Sequence, residues 1–454
     1  MTPEEMIELC KAHTLFTWKA QQDVHPIPMQ RAEGVYFWDA HGKRFLDWNS
    51  QIMSVHVGHQ HPKIVAALKK QADTLCYAAP SMATEIRARL GQRLARLSPA
   101  SINTFFFALG GAEANENAVR LARLYTGRHK VLAGYRSYHG ATHLSASLTG
   151  DPRRWPNEPA ATGILHFMGP ELYRFSFGDS EAKRAENALA YLEELIEFEG
   201  PHTIAAILLE AVPGTNGVLV PPPGYLEGVR ALCDRHGILL IFDEVMTGFG
   251  RTGKMMAFEH FHVVPDLFTG AKGLTSSYLP LGVVGISDAI RSHFESEVYW
   301  GGLTFNAHPM SLAAAEANLQ VIEEEGLVDH ARSLHPLMTD LLTELAQKHP
   351  SVRAHRSLGL FGMMDFCRNA DGDWLAPYGK THPAMSAFSK GLLKEGLYAY
   401  ARWSSLMSCP PLIITETQLR EGFAVIDQAL HHLDEAMDGS GLDEAGEARR
   451  AGPK

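Results

Sequence analysis

Residues 238–245 read Ile-Leu-Leu-Ile-Phe-Asp-Glu-Val. Five apolar residues in a row match the length of a strand buried on both faces, and Asp243 stands where such a strand ends. In open parallel sheets ligands bind beyond the carboxyl ends of the strands, so a carboxylate there is placed for a metal, a base or a protonated ring nitrogen. Taken alone it is equally a helix N-cap or a solvated loop acid. Similar runs lie on both sides: Phe105–Leu109, Ala205–Leu209, Leu267-Phe268 and Val283–Ile286. Helical stretches separate several of them, which predicts a mostly parallel sheet covered by helices, an α/β fold.

Outside this middle region the pattern changes. Gly34–Asp47 alternates around His41-Gly42 as a short hairpin would. Pro62–Leu97 repeats apolar residues at helical steps, and 310–350 reads as one long helix. A smaller α+β portion spans Val352–His432. The tail is rich in Gly, Glu and Arg, has no apolar face and reads as disordered. No internal repeat is present.

Composition bounds the partners. The chain has 454 residues, with 41 Lys+Arg against 51 Asp+Glu and a formal charge of −10. An acidic balance argues against nucleic acid or an anionic membrane as main partner. The 45% apolar content supports a large core, and the length predicts two or three structural units. Five cysteines with no CxxC pair argue against a disulfide framework and a thiolate zinc site. No metal is expected. Free thiols, an N-terminus unlike a signal peptide and the lack of a long apolar stretch point to the cytoplasm.

Three further features carry chemistry. Leu109-Gly110-Gly111-Ala112-Glu113-Ala114-Asn115 follows an apolar run and opens a helical pattern. Backbone N–H groups in such a turn, with the positive end of the helix, suit a phosphate, though a plain tight turn reads the same way. The dinucleotide GxGxxG and Walker patterns are absent, which counts against NAD and ATP. Lys272 lies between small neighbours in Gly270-Ala271-Lys272-Gly273. In a desolvated cleft such a lysine can lose its proton and attack carbonyls; isolated, it would be an exposed loop residue. Tyr138, in Tyr138-His139-Gly140, offers a ring for stacking or for the core.

Together a phosphate cradle, an acid, a lysine and a stacking ring describe a pyridoxal phosphate site. The constellation resembles the class III (ω) aminotransferases, fold-type-I pyridoxal phosphate enzymes, over roughly Gly34–Leu430. The resemblance rests on Gly34–Gly42, Val57-Gly58-His59 with His61-Pro62, the 110–115 turn, Ser137–Gly140, Glu210–Gly214 and Pro221–Tyr225. It continues through Phe242–Val245, Gly248–Gly253, Lys272, Thr304 with His308-Pro309, and Pro410–Leu412.

The resemblance implies a seven-stranded, mostly parallel large domain over 61–314. It implies a smaller α+β domain from two segments, 1–60 and 315–436, leaving 437–454 as the tail. Lys272 looks like the lysine that holds the cofactor as a Schiff base and then shuttles a proton. Asp243 is similar to the partner of the pyridine nitrogen. Tyr138 and Val245 would pack on the two ring faces, Glu210 near the cofactor edge, and the N–H groups of Gly111 and Ala112 on the phosphate. Relatives often carry Ser-Gly-Ser at this cradle, so Gly110-Gly111-Ala112 drops two hydroxyls and keeps the backbone donors. Thr304 is similar to a threonine that reaches the phosphate from a second subunit, which implies a homodimer with shared sites and leaves tetramers open. Arg402 is similar to a mobile arginine that meets the acceptor carboxylate, and Ile52 and Met53 fall where some amine-specific relatives carry bulky apolar residues; Trp18 fits part of that wall or the core equally well.

His13–Trp18 and Asp47–Gln51 look closest to the taurine and ω-amino acid branch. The expectation is therefore ping-pong transfer of an amino group from an ω-amino acid or amine to a 2-oxo acid such as pyruvate. Rival readings are an amine:pyruvate transaminase for hydrophobic amines, an aminomutase or decarboxylating relative, and a non-catalytic binding protein. The presence of both Lys272 and Asp243 speaks against the last.

Overall fold

The computed structural model describes residues 1–437. Its centre is a seven-stranded sheet. In chain order the strands are β1 (Ile102–Ala108), β2 (Lys130–Gly134), β3 (Ile164–Phe167), β4 (Ile204–Leu209), β5 (Leu239–Asp243), β6 (Leu267–Gly270) and β7 (Gly282–Ser287). Their spatial order is β1-β7-β6-β5-β4-β2-β3. All neighbouring pairs are parallel except the two made by β7, which runs antiparallel to β1 and β6.

The apolar runs persist because both faces of this sheet are covered. Leu240 and Phe242 join one core, whereas Leu239 and Ile241 join another. The same alternation places Ile207 in the first core and Ala206 and Leu208 in the second. Side chains of period two thus enter different layers, each large one stabilising by about 1.5–3 kcal/mol. The helix Gly111–Thr126 packs on β6 and β7 and fills the second core with Ala114, Ala118 and Leu121.

Two smaller sheets flank this unit. One holds Met29–Glu33, Tyr36–Asp39, Arg44–Asp47 and Leu397–Tyr398, so its last strand comes from the far end of the chain and pairs in parallel with Arg44–Asp47. The other holds Val352–Ser357, Gly362–Phe366, Ser405–Ser408 and Tyr400–Arg402.

Several expectations need correction. The stretch read as one helix over 310–350 is two, Pro309–Glu324 and Leu327–Lys348. They part at Gly326, whose φ of +62° suits glycine. The helical reading of 62–97 holds, as two helices, Pro62–Thr74 and Glu85–Leu97. Strands β2 and β3 escaped the apolar-run reading because each is short and carries a polar residue, Lys130 and His166. Of the tail expected to be disordered, residues 438–454 lie outside the described residues. Among the described residues no helix is long and apolar enough to cross a membrane.

Candidate active site

A cavity of about 480 Å³ opens at the carboxyl ends of β4, β5 and β6. Gly111, Tyr138, Glu210, Asp243, Val245 and Lys272 all line it. Asp243 ends β5 and is buried. Its Oδ2 accepts the Asn115 amide and faces Nδ1 of His139, both at 2.8 Å, and its Oδ1 accepts the Val245 N–H at 2.9 Å. Asn115 is itself fixed, because its Oδ1 accepts the Thr269 hydroxyl at 2.6 Å.

The neighbouring acid has a different task. Glu244 is fully buried and accepts the Thr247 hydroxyl and the N–H groups of Ala257 and Phe258. It ties down the loop after β5. Burial pushes its carboxyl up to about 7.

The cradle is bare by necessity. The helix Gly111–Thr126 begins without a side-chain cap. A Cβ on Gly111 would lie 2.7 Å from Val245 Cγ2. Across the turn Gly140, at φ +134°, would place a Cβ 2.5 Å from that of Ala112. The Tyr138–Gly140 loop therefore sits directly on the cradle. First-turn N–H groups and the positive helix end remain for an anion.

Lys272 follows β6 with φ +44°, a left-handed conformation that L side chains rarely adopt. It keeps partial exposure and lines the cavity. Desolvation lowers its pKa from the usual lysine value, with Asp243 and then Glu210 acting in the opposite direction. Glu210 accepts the N–H of Tyr138 at 3.0 Å and of Gly214 at 2.7 Å, and burial pushes its carboxyl up to about 7.

Tyr138 is held by one residue that sequence reasoning missed, Arg153, and one that it named, Trp18. The Arg153 guanidinium lies 3.6 Å from its ring centroid, and Trp18 meets it edge-on at 6.0 Å. Arg153 is anchored on Asp151 at 3.0 Å and donates to the Thr215 hydroxyl at 2.7 Å. Asn115 and His139 were also missed as functional residues. Asn115 is a poor helix former five positions into a helix, which is the signal that could have found it.

The other expected site residues divide between this cavity and its surroundings. Ile52 lines the cavity, whereas Met53 is buried in the first core and does not. Ala112 lines the cavity. Thr304 is exposed and outside it, with its carbonyl accepting the Tyr77 hydroxyl. Arg402 is in an adjoining pocket, against the Tyr400 hydroxyl at 3.1 Å and the Trp403 ring. Thr215 lines both cavities.

The cavity fits pyridoxal phosphate. It combines a glycine cradle at a helix start, an aromatic wall, an anchored acid and a lysine with a lowered pKa. Comparison with known proteins agrees. The sequence pattern of the class-III aminotransferases matches residues 17–430. A probable aminotransferase of Mycobacterium tuberculosis is 36% identical over 384 residues, 82% of each chain. The taurine:2-oxoglutarate aminotransferase of Bifidobacterium kashiwanohense, solved with PLP and glutamate, superposes with a TM-score of 0.93. It is 39% identical, over 96% of this chain and 99% of that one. An (S)-enantioselective ω-transaminase of Thermomicrobium roseum gives 0.90 at 32% identity, over 95% and 99%. A fold-type-I enzyme with pyridoxal phosphate as its cofactor, the chain belongs to the class-III aminotransferases.

Proposed function

We propose that the protein is an ω-aminotransferase that takes the amino group of an acidic ω-amino compound of the taurine or β-alanine type and delivers it to a 2-oxo acid. The observation that carries this is the position of Arg402. Its pocket adjoins the Lys272 cavity and shares Thr215 with it, so a guanidinium stands beside the site of amino transfer. Guanidinium forks bind carboxylates and sulfonates through paired N–H donors.

The cofactor supplies an aldehyde carbon and an electron-accepting ring. The chain's residues do the rest. The lowered pKa of Lys272 favours the neutral amine needed for nucleophilic attack and for carrying a proton at Nζ. Asp243, held by three contacts, would face the ring nitrogen, and Tyr138 and Val245 would pack against the ring. The N–H groups of Gly111 and Ala112 would hold the phosphate. We assign Thr304 to a second subunit's phosphate in a cytoplasmic homodimer, since it lies outside the cavity of its own chain.

Absorption spectroscopy tests the reading. A band near ~410–420 nm that moves toward ~330 nm with taurine or β-alanine supports it, since those bands report the cofactor's oxidised and aminated forms. A shift with 1-phenylethylamine alone would move the protein to the hydrophobic-amine branch, which the exposed apolar Ile52 and Trp18 favour. Amino transfer without an external acceptor would indicate an aminomutase, and release of carbon dioxide a decarboxylating relative.

A further inference from the structure

The helix Glu416–Asp434 carries Asp427, His431 and Asp434 at helical spacing, so the three side chains share one face. That face meets His349, which caps the far end of the helix Leu327–Lys348. None of the four lines the Lys272 cavity. Among the described residues His349, His431 and Asp434 form the one group of histidine, cysteine and carboxylate side chains that converges closely enough to hold a metal ion, with ligand atoms within 4.8 Å of one another. The expectation of no metal rested on the cysteines, which have no bearing on nitrogen and oxygen ligands.

Two of the ligands are aimed by their neighbours. His349 is buried and both its ring nitrogens face carboxylates: Nδ1 lies 2.6 Å from Asp434 Oδ2, and Nε2 lies 2.7 Å from Asp427 Oδ1. Asp427 is anchored in turn by the Lys348 ammonium. At zinc sites a histidine commonly turns one nitrogen to the ion and the other to a carboxylate, which fixes the ring. Asp434 is divided in a similar way. Its Oδ1 accepts the Ser351 N–H at 3.2 Å and the Ser351 hydroxyl at 2.6 Å, which leaves Oδ2 for an ion.

His431 is the open side of the cluster. Its side chain is 62% exposed, and its Nδ1 stands 3.9 Å from Asp434 Oδ2, beyond hydrogen-bond reach. Its ring meets that of His349 edge-on, with centroids 5.2 Å apart. Hydrogen bonding alone accounts for the two aspartates about His349; His431 is what turns the triad into a three-ligand set. Ligands about 2.0–2.2 Å from a tetrahedral ion stand roughly 3.3–3.6 Å from one another. A small turn of the exposed His431 ring closes its gap, and the His349–Asp434 pair opens as the ion replaces the hydrogen between Nδ1 and Oδ2. Two imidazole nitrogens and a carboxylate oxygen suit Zn²⁺, with water in the fourth position, better than Ca²⁺ or Mg²⁺, which take oxygen ligands.

We propose that His349, His431 and Asp434 form a Zn²⁺ site backed by Asp427, which clamps the helix Glu416–Asp434 to the turn that leads into the strand Val352–Ser357. The site is structural, lies outside the cavity of amino transfer and does not depend on the reading of that cavity.

Zinc titrated into the tag-free holoenzyme against a chromophoric chelator tests the site. One Zn²⁺ binds per subunit, at an affinity at least about tenfold above that of His431→Gln. Asp427→Asn spares all three ligands and weakens binding about 10–100-fold. Zinc also raises the melting temperature of the wild-type protein and leaves that of His431→Gln unchanged, because an ion that binds only the folded state shifts the unfolding equilibrium. In zinc-free buffer His431→Gln keeps the wild-type absorption of the bound cofactor, which separates loss of the site from loss of the fold. Should Asp427→Asn fail to fold, the comparison of wild type with His431→Gln decides. No binding by the wild-type protein, or equal binding by wild type and His431→Gln, overturns the site and leaves a hydrogen-bonded Asp–His–Asp triad.

Discussion

His139 and Asp243, 104 residues apart in the chain, meet at 2.8 Å through Nδ1 and Oδ2 with both side chains buried. Asn115 presses on the same oxygen from a third element. Asp243 is thus aimed by a helix, a loop and its own strand. An error in any of them shifts it.

Asn115→Ala removes one of these donors and leaves the Thr269 hydroxyl without its acceptor. We expect kcat to fall roughly tenfold, in line with the loss of one hydrogen bond to a charged group. Asp243→Asn should cost more, roughly 10²–10³-fold, with the cofactor still bound. Steady-state kinetics with cofactor content measured in parallel checks both. Equal losses in the two variants would argue that Asn115 acts on the fold rather than on Asp243.

Gly111→Ala drives a methyl into Val245. Overpacking of this kind costs about 1–3 kcal/mol. Cofactor affinity should drop at least about tenfold. Val245→Ala should restore much of it in the double variant, because the two residues touch. Titration of cofactor-free protein with pyridoxal phosphate reads the effect.

Lys272 has a backbone that favours glycine. Holding a non-glycine residue in the left-handed region costs on the order of 1 kcal/mol. Lys272→Gly should therefore stabilise the cofactor-free protein by about that amount while abolishing transamination. Thermal unfolding of both cofactor-free forms is the check. A lower melting temperature for the variant would contradict the strain.

Glu210 sets a pH dependence. Its carboxyl stands at about 7 in the fold against 4.5 as the reference. Because the folded value is raised, the folded state holds the proton more tightly. The stability this contributes is complete below about 4.5 and falls by up to about 1.4 kcal/mol per pH unit until pH passes 7. Glu210→Gln cannot titrate. Relative to wild type its stability should rise across that window and then level off, offset by a constant penalty for the new amide. Denaturant midpoints of the cofactor-free proteins between pH 4.5 and 8 give the comparison.

Much of this was legible in the chain. The five apolar runs became strands because burial on both faces removes polar alternation, leaving a signal that single-sequence reading detects. Lys272, Asp243, Gly111 and Tyr138 were found through motifs, and the structure brings all four to one cavity. What stayed hidden depends on tertiary distance. Arg153 is an ordinary arginine in Asp151-Pro152-Arg153-Arg154 until the fold lays it on Tyr138. Met53 and Ile52 are adjacent in sequence, and only the left-handed backbone at Gln51 and Met53 decides which one turns inward. The break at Gly326 was missed because helical periodicity resumes after it.

The pairing of Arg44–Asp47 with Leu397–Tyr398 carries a consequence for biosynthesis. About 350 residues separate the two strands, and translation at roughly 5–20 residues per second leaves the first waiting about 20–70 s for the second. During that interval one edge of the nascent sheet is open, a template for pairing with neighbouring chains. Substitutions near Leu397 should therefore show first as lost soluble yield, and co-expressed chaperones should rescue it without changing the specific activity of the molecules that mature.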